Sequence, residues 1–267
     1  MIEERPSAGL GRDWVALLAT LTLGPWLLSQ GRRVRRMTPV LPEPPGPRSG
    51  RVELPPPLSP SPLYPLNHLG QTLAGLRVLI TGDSAAAGVG APHQDQALAG
   101  QLPPRLAQSF ACPVEWWLVA RTGLTVESLC GLLAQQDPPE PVDIVLVSIG
   151  VNEVTAGTGV SAWRSKLDGL HELLTGRLGA RCVLYSGIPP MHRFPALPQP
   201  LRWFLGRRAS RLDWALAEWV TRVPRAYRVQ LPDLPDEAIA ADGFHPGVQA
   251  YRAWAEVVVP IAMKASL

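Results

Sequence analysis

The chain has 267 residues, 46% of them apolar and 18% charged, with 30 prolines, 24 glycines and a formal net charge of +3. That composition supports a packed core and excludes wholesale disorder. The basic excess sits before Leu54, and the 17 basic and 17 acidic residues from there onward balance. The body of the chain therefore lacks the basic face of a nucleic-acid-binding protein.

Residues 14–30, WVALLATLTLGPWLLSQ, carry no charge, and Arg32, Arg33, Arg35 and Arg36 follow them. A run of this length is at the short end of what spans a bilayer. Gly24-Pro25 would kink such a helix without forbidding it, and Trp14 and Trp26 suit membrane interfaces. Read in this way, residues 1–36 are a membrane anchor. The positive-inside bias then puts the rest of the chain on the cytoplasmic side of a bacterial inner membrane. A cleaved signal peptide fits less well, because the basic cluster follows the apolar run and no small-x-small cleavage site stands out. A kinked helix packed on the protein or lying on a membrane surface is the third reading. Residues 37–72 contain eleven prolines between Pro39 and Pro65. That density predicts an extended, semi-rigid spacer rather than helix or sheet.

The domain proper is expected over residues 73–267. Apolar runs at 76–81, 114–120, 142–149, 182–186 and 227–231 read as strands. Between them 97–110, 125–136, 161–178 and 201–223 read as helices, with a last helix after Pro246 to about residue 264. In 201–223, for example, Leu201, Leu205, Leu212, Ala215, Leu216, Trp219 and Val223 recur at helical spacing. Strands alternating with helices predict an α/β fold with a parallel sheet covered on both faces. Ligands of such folds bind beyond the carboxyl ends of the strands. The first strand is followed by Gly82-Asp83-Ser84, the second by Arg121-Thr122-Gly123 and the third by Gly150-Val151-Asn152-Glu153. Asp242-Gly243-Phe244-His245 stands just before the last helix.

These four blocks, in this order, resemble those of the SGNH hydrolases, the GDSL-like esterases and lipases. The resemblance implies a flavodoxin-like three-layer α/β/α sandwich with a five-stranded parallel sheet in the order 2-1-3-4-5. It also implies a nucleophile at Ser84, a base and its acidic partner at His245 and Asp242, and an oxyanion hole formed by the backbone N–H groups of Ser84 and Gly123 with the Asn152 side chain. The chemistry agrees with those residue types. A serine hydroxyl needs a base to take its proton, the base needs an orienting acid, and the resulting oxyanion needs donors already in place. The third block departs from the usual GxND, because Glu153 stands in place of the aspartate. The asparagine is retained and the acid is expected to be structural.

The expected activity is cleavage of a small or lipid-like carboxylic ester or thioester through an acyl-enzyme, with no cofactor and no metal. The expected partners are the substrate and, through the N-terminal segment, a membrane, but no nucleic acid. The alternative is a membrane-anchored, catalytically silent binding module. A nucleotide-binding domain fails for want of GxGxxG or GxxxxGK[ST], and the α/β-hydrolase elbow GxSxG is absent. Residues 188–206, rich in proline and aromatics, read either as a wall of the acyl pocket or as a packed crossover. His68, His93, His171 and His192 belong to no motif, and His93 is nearest in sequence to the Ser84 block. Cys112, Cys130 and Cys182 are far apart, with no zinc spacing, and read as free thiols.

Overall fold

A computed structural model describes residues 13–54, 75–135 and 141–266, with residues 13–22 described by backbone alone. The elements, in chain order, are α1 (Asp13–Met37), β1 (Ser49–Val52), β2 (Leu76–Gly82), α2 (Ser84–Ala87), α3 (Leu98–Phe110), β3 (Val114–Ala120), α4 (Val126–Ala134) and β4 (Ile144–Ser148). They continue with α5 (Val151–Ala156), α6 (Val160–Glu172), β5 (Cys182–Ser186), α7 (Leu201–Val220), β6 (Ala226–Val229) and α8 (Val248–Ala265). The sheet order is β1-β3-β2-β4-β5-β6. Strands β2 to β6 run parallel and reproduce the expected 2-1-3-4-5 arrangement.

Alternation along the strands sorts their side chains into two layers, as a pleated strand must. Val78, Ile80, Ile144, Leu146 and Leu184 join one core, packed under α3 and α8. Leu79, Val145, Val147, Val183 and Tyr185 join the other, under α4, α6 and α7. Both faces are therefore dry, which explains why these strands read as continuous apolar runs in the sequence.

The sheet has six strands rather than five. The extra strand, β1, lies antiparallel on β3 with Ser49 opposite Trp117 and Val52 opposite Val114. It falls in the stretch expected to be a spacer. Proline excluded sheet in that expectation, but Pro47 and Pro55 flank β1 without interrupting it. An edge strand tolerates prolines so placed. The pairing extends one residue upstream, where Leu118 N donates to Arg48 O at 2.7 Å. Residues 55–74, which include the rest of the expected spacer up to residue 72, lie outside the described residues.

The membrane span expected at 14–30 is not found. Among the described residues no helix is long and apolar enough to cross a membrane. Helix α1 packs on the domain instead. Leu27 is buried in the α7-side core, and Leu23 and Val34 pack against it. Gln30 Nε2 donates to Gln199 O at 2.8 Å, while Gln30 Oε1 accepts from Leu201 N at 3.1 Å. Residues 23, 27, 30 and 34 form one helical seam. The Gln30 carboxamide also satisfies an N–H that the first turn of α7 would otherwise leave free.

Candidate active site

Strand β2 ends at Gly82, whose φ is +146°. A Cβ at that position would lie 1.8 Å from Ser148 O, so no other residue lets β2 and β4 approach so closely. Asp83 follows as the cap of α2. Its N–H donates to Ser148 O at 2.9 Å and its Oδ1 accepts from Ala85 N at 3.1 Å. These contacts put Ser84 at the ends of β2 and β4. Asp83 is buried, and burial pushes its carboxyl up to about 7, helped by the nearby Glu153 and opposed by the Ala85 N–H.

The turn before α8 brings the other two groups to Ser84. Asp242 Oδ1 accepts from the backbone N–H groups of Phe244 and His245, both at 3.0 Å. Its Oδ2 lies 2.5 Å from His245 Nδ1, and His245 Nε2 lies 2.9 Å from Ser84 Oγ. With a carboxylate on Nδ1, that nitrogen carries the proton, and the Nε2 lone pair faces the serine hydroxyl. Burial works against the Asp242 carboxylate. The hydrogen bonds from the His245 ring and from the two backbone N–H groups outweigh it and hold the carboxyl below its ordinary value. The turn is closed on both sides: Ala240 N donates to His245 O at 2.8 Å and Gly247 N to Ala238 O at 2.7 Å. From α8, Tyr251 Oη donates to Val89 O at 2.7 Å and ties the helix that follows the histidine's turn to the serine's loop.

Gly123 and Asn152 stand beyond the ends of the two strands that flank β2, whose last residue pairs with Ala120 and Ser148. Gly123 has φ +84°, and a Cβ there would meet nothing within 4 Å. Glycine is thus required by backbone conformation rather than by packing. Asn152 Nδ2 donates to Leu124 O at 2.9 Å. One amide hydrogen makes that bond and the second is left for another acceptor. Glu153 is fully buried, and its Oε1 accepts from Val126 N at 2.6 Å. It therefore anchors the first turn of α4 to α5, a structural contact of the kind expected of the acid in this block. Burial, above its other influences, raises the Glu153 carboxyl.

A cavity of about 260 Å³ opens beside Ser84 and His245. Pro189, Pro190 and Phe194 form one wall and Leu234 and Ile239 another, with Trp254 of α8 also lining it. The segment 188–206 thus divides. Its first third lines the cavity, and residues from Leu201 onward are helix α7. The second wall, residues 231–239, was not singled out in the sequence. Its Leu-Pro-Asp-Leu-Pro run was the available signal. Arg193 binds the two walls together. It pairs closely with Asp233, donates to Leu234 O at 2.7 Å and lies 3.5 Å from Asp236.

Of the remaining histidines, His93 and His171 make local contacts. His93 Nδ1 lies 3.0 Å from Asp95 Oδ1, at the start of the short helical turn 94–96. Buried His171 sits between Tyr185 Oη at 3.2 Å and Pro224 O at 3.0 Å, and His192 lies in the turn 191–193. His68 is outside the described residues. The three cysteines are free thiols, with Cys112 and Cys182 buried. Among the described residues no group of His, Cys, Asp and Glu could hold a metal ion.

Comparison with known proteins adds a family to this geometry. Residues 80–253 match the GDSL-like Lipase/Acylhydrolase family. No curated protein matches the chain in sequence. Among solved structures, a lipolytic G-D-S-L family protein from Veillonella parvula is similar, with 15% identity and a TM-score of 0.51 over 70% of this chain and 97% of that one. A protein from Streptococcus pneumonia described as a putative platelet activating factor is similar over 92% of this chain and 99% of its own, with 15% identity and a TM-score of 0.54. A Clostridium thermocellum family 3 carbohydrate esterase is similar over 72% of this chain and 100% of its own, again with 15% identity and a TM-score of 0.54. At these identities the likeness is one of fold.

Proposed function

The chain belongs to the GDSL-like lipase/acylhydrolase family and is an SGNH-type ester hydrolase, and from that premise we propose that Ser84 is its nucleophile, served by His245 and Asp242. The observation that carries this reading is the unbroken hydrogen-bonded series Ser84 Oγ, His245 Nε2, His245 Nδ1, Asp242 Oδ2. Ser84 Oγ attacks the ester carbonyl carbon while Nε2 takes its proton. The carbonyl π pair moves onto oxygen, and the N–H groups of Ser84 and Gly123 with the free amide hydrogen of Asn152 stabilise the oxyanion. On collapse of the tetrahedral intermediate the C–O bond to the alcohol breaks. Nε2 gives its proton to the departing oxygen, leaving an acyl group on Ser84. Water, deprotonated by the same nitrogen, then attacks the acyl carbon and restores the serine.

Asp242 stays ionised throughout, because three donors hold its carboxyl low. It fixes the imidazole tautomer and stabilises the imidazolium formed at each proton transfer. The apolar walls of the cavity beside Ser84 suit an uncharged, hydrocarbon-bearing part of the ester. The same chemistry serves a thioester.

The test is hydrolysis of a p-nitrophenyl ester series by the wild type, Ser84→Ala and His245→Ala. Each substitution should lower kcat by roughly 10⁴-fold, as removal of a coupled nucleophile or base does elsewhere. A Ser84→Ala protein with wild-type turnover would overturn the assignment.

A further inference from the structure

We infer that Glu43, from the segment ahead of the family-matched region, is a positioning residue for the reaction: it fixes the loop that presents Gly123 to the oxyanion. The inference rests on the role proposed for Gly123 above. The matched region begins at residue 80, so no family motif assigns Glu43 a part. The structure nevertheless puts its carboxylate on the residue preceding Gly123. Oε1 accepts from Thr122 N at 2.7 Å and from Thr122 Oγ1 at 3.0 Å. Oε2 accepts from Arg48 Nη1 at 3.0 Å, and Arg48 Nη2 also donates to Ala120 O at the end of β3. Glu43 is thus clamped by Arg48, and Arg48 by the strand from which the loop springs.

The opposite end of the same loop is held from the other side. Leu124 O accepts from Asn152, and Val126 N donates to Glu153. Gly123 sits between these two anchors in a left-handed conformation, with open space where a Cβ would project. No packing on the Cβ side holds Gly123, so the direction of its N–H depends on the peptides on either side. A glycine loop left free would sample many orientations. An oxyanion donor is effective only when it is already aimed before charge develops. Two hydrogen bonds to an ionised acceptor at Thr122 supply that aim, and charge-assisted bonds are the stronger kind.

The same segment also reaches the loop that follows Ser84. Pro45 O accepts from Gln94 N at 2.9 Å, and Gln94 Nε2 donates to Ala87 O at 2.9 Å, in the helix that Ser84 opens. Residues 43–48 therefore bridge the nucleophile's loop and the glycine's loop. This gives the stretch ahead of β1 a role in the site.

The experiment compares wild type, Glu43→Ala and Glu43→Gln in the full chain. Active sites are counted by mass-spectrometric labelling of Ser84 with a fluorophosphonate. Turnover of p-nitrophenyl butyrate is then expressed per labelled site, and the inhibition constant of an alkyl trifluoromethyl ketone reports oxyanion binding. Glu43→Ala should lower kcat per site about tenfold with KM within about twofold, because the lost interaction acts on the transition state. Ketone affinity should weaken by the same factor. Glu43→Gln keeps an acceptor for Thr122 but loses the charge and turns an NH2 donor toward Arg48, so its kcat per site should fall less than that of Glu43→Ala, by about threefold. A Glu43→Ala protein with lower thermal stability but unchanged kcat per site and unchanged ketone affinity would overturn the inference. If Glu43→Ala does not fold, Thr122→Val removes the hydroxyl half of the contact. A fall in kcat per site of about threefold then supports the inference, and an unchanged kcat per site overturns it. Failure of wild-type Ser84 to label would instead overturn the nucleophile, and this inference with it.

Discussion

Replacing Asp83 by asparagine should stabilise the protein at pH 8 and leave its stability little changed at pH 4. The carboxyl is buried, and burial raises it from the ordinary 3.8 to about 7. Its folded value is therefore above its unfolded value, and the folded state binds the proton more tightly. Below pH 4 both states are protonated and the group contributes no pH dependence. Between about pH 4 and 7 the unfolded chain releases a proton that the folded chain keeps, so wild-type stability falls as pH rises. Above 7 both states are ionised and the loss levels off. The interval from 3.8 to about 7 corresponds to a loss of about 4 kcal/mol. Asparagine keeps an Oδ1 to accept from Ala85 N and never ionises, so the variant escapes this loss. Urea unfolding of both proteins at pH 4.5, 6 and 8 would measure it. The variant's midpoint should move ahead of the wild type's with each step, with the slope m unchanged. Parallel midpoints at the three pH values, or a wild type that gains on the variant as pH rises, would mean that burial does not hold the Asp83 proton.

Asn152→Ala should lower kcat roughly 10²–10³-fold with little change in KM if, as proposed, its free amide hydrogen serves the oxyanion; a kcat within threefold of wild type would remove it from the site. Glu153→Asp restores the family's usual residue but shortens the bridge to Val126 N, and should change kcat/KM by less than about tenfold, read in the same ester assay. Leu27→Ala should cost about 2–3 kcal/mol in a thermal or urea melt, because Leu27 is buried between α1 and the domain. An unshifted melt would mean that α1 does not pack there in solution.

The parts of the candidate site were legible in the sequence where chemistry and local geometry coincide. Gly82, Ser84, Gly123 and Asn152 each follow an apolar strand, and Asp242 and His245 lie three apart in one turn, so residue type and strand position pointed to the same place. Contacts made across long sequence separations were not legible. Glu43 and Thr122 are 79 residues apart, and no periodicity or spacing links them. β1 was missed because four residues of Ser-Gly-Arg-Val show no clear alternation and the prolines around them dominate the composition. For α1, the uncharged run suggested a span, while the quieter signal was the seam of Leu23, Leu27, Gln30 and Val34. A glutamine inside an apolar stripe is costly in lipid, but here it caps a neighbouring helix.

If Ser84 is the nucleophile, an acyl group passes through it at every turnover. The direct measurement is mass spectrometry of protein acid-quenched during turnover of a p-nitrophenyl ester, followed by proteolytic mapping. An adduct of the acyl mass is expected on the peptide containing Ser84, absent from Ser84→Ala. Steady hydrolysis with the adduct on another residue, or with Ser84→Ala as active as wild type, would contradict it.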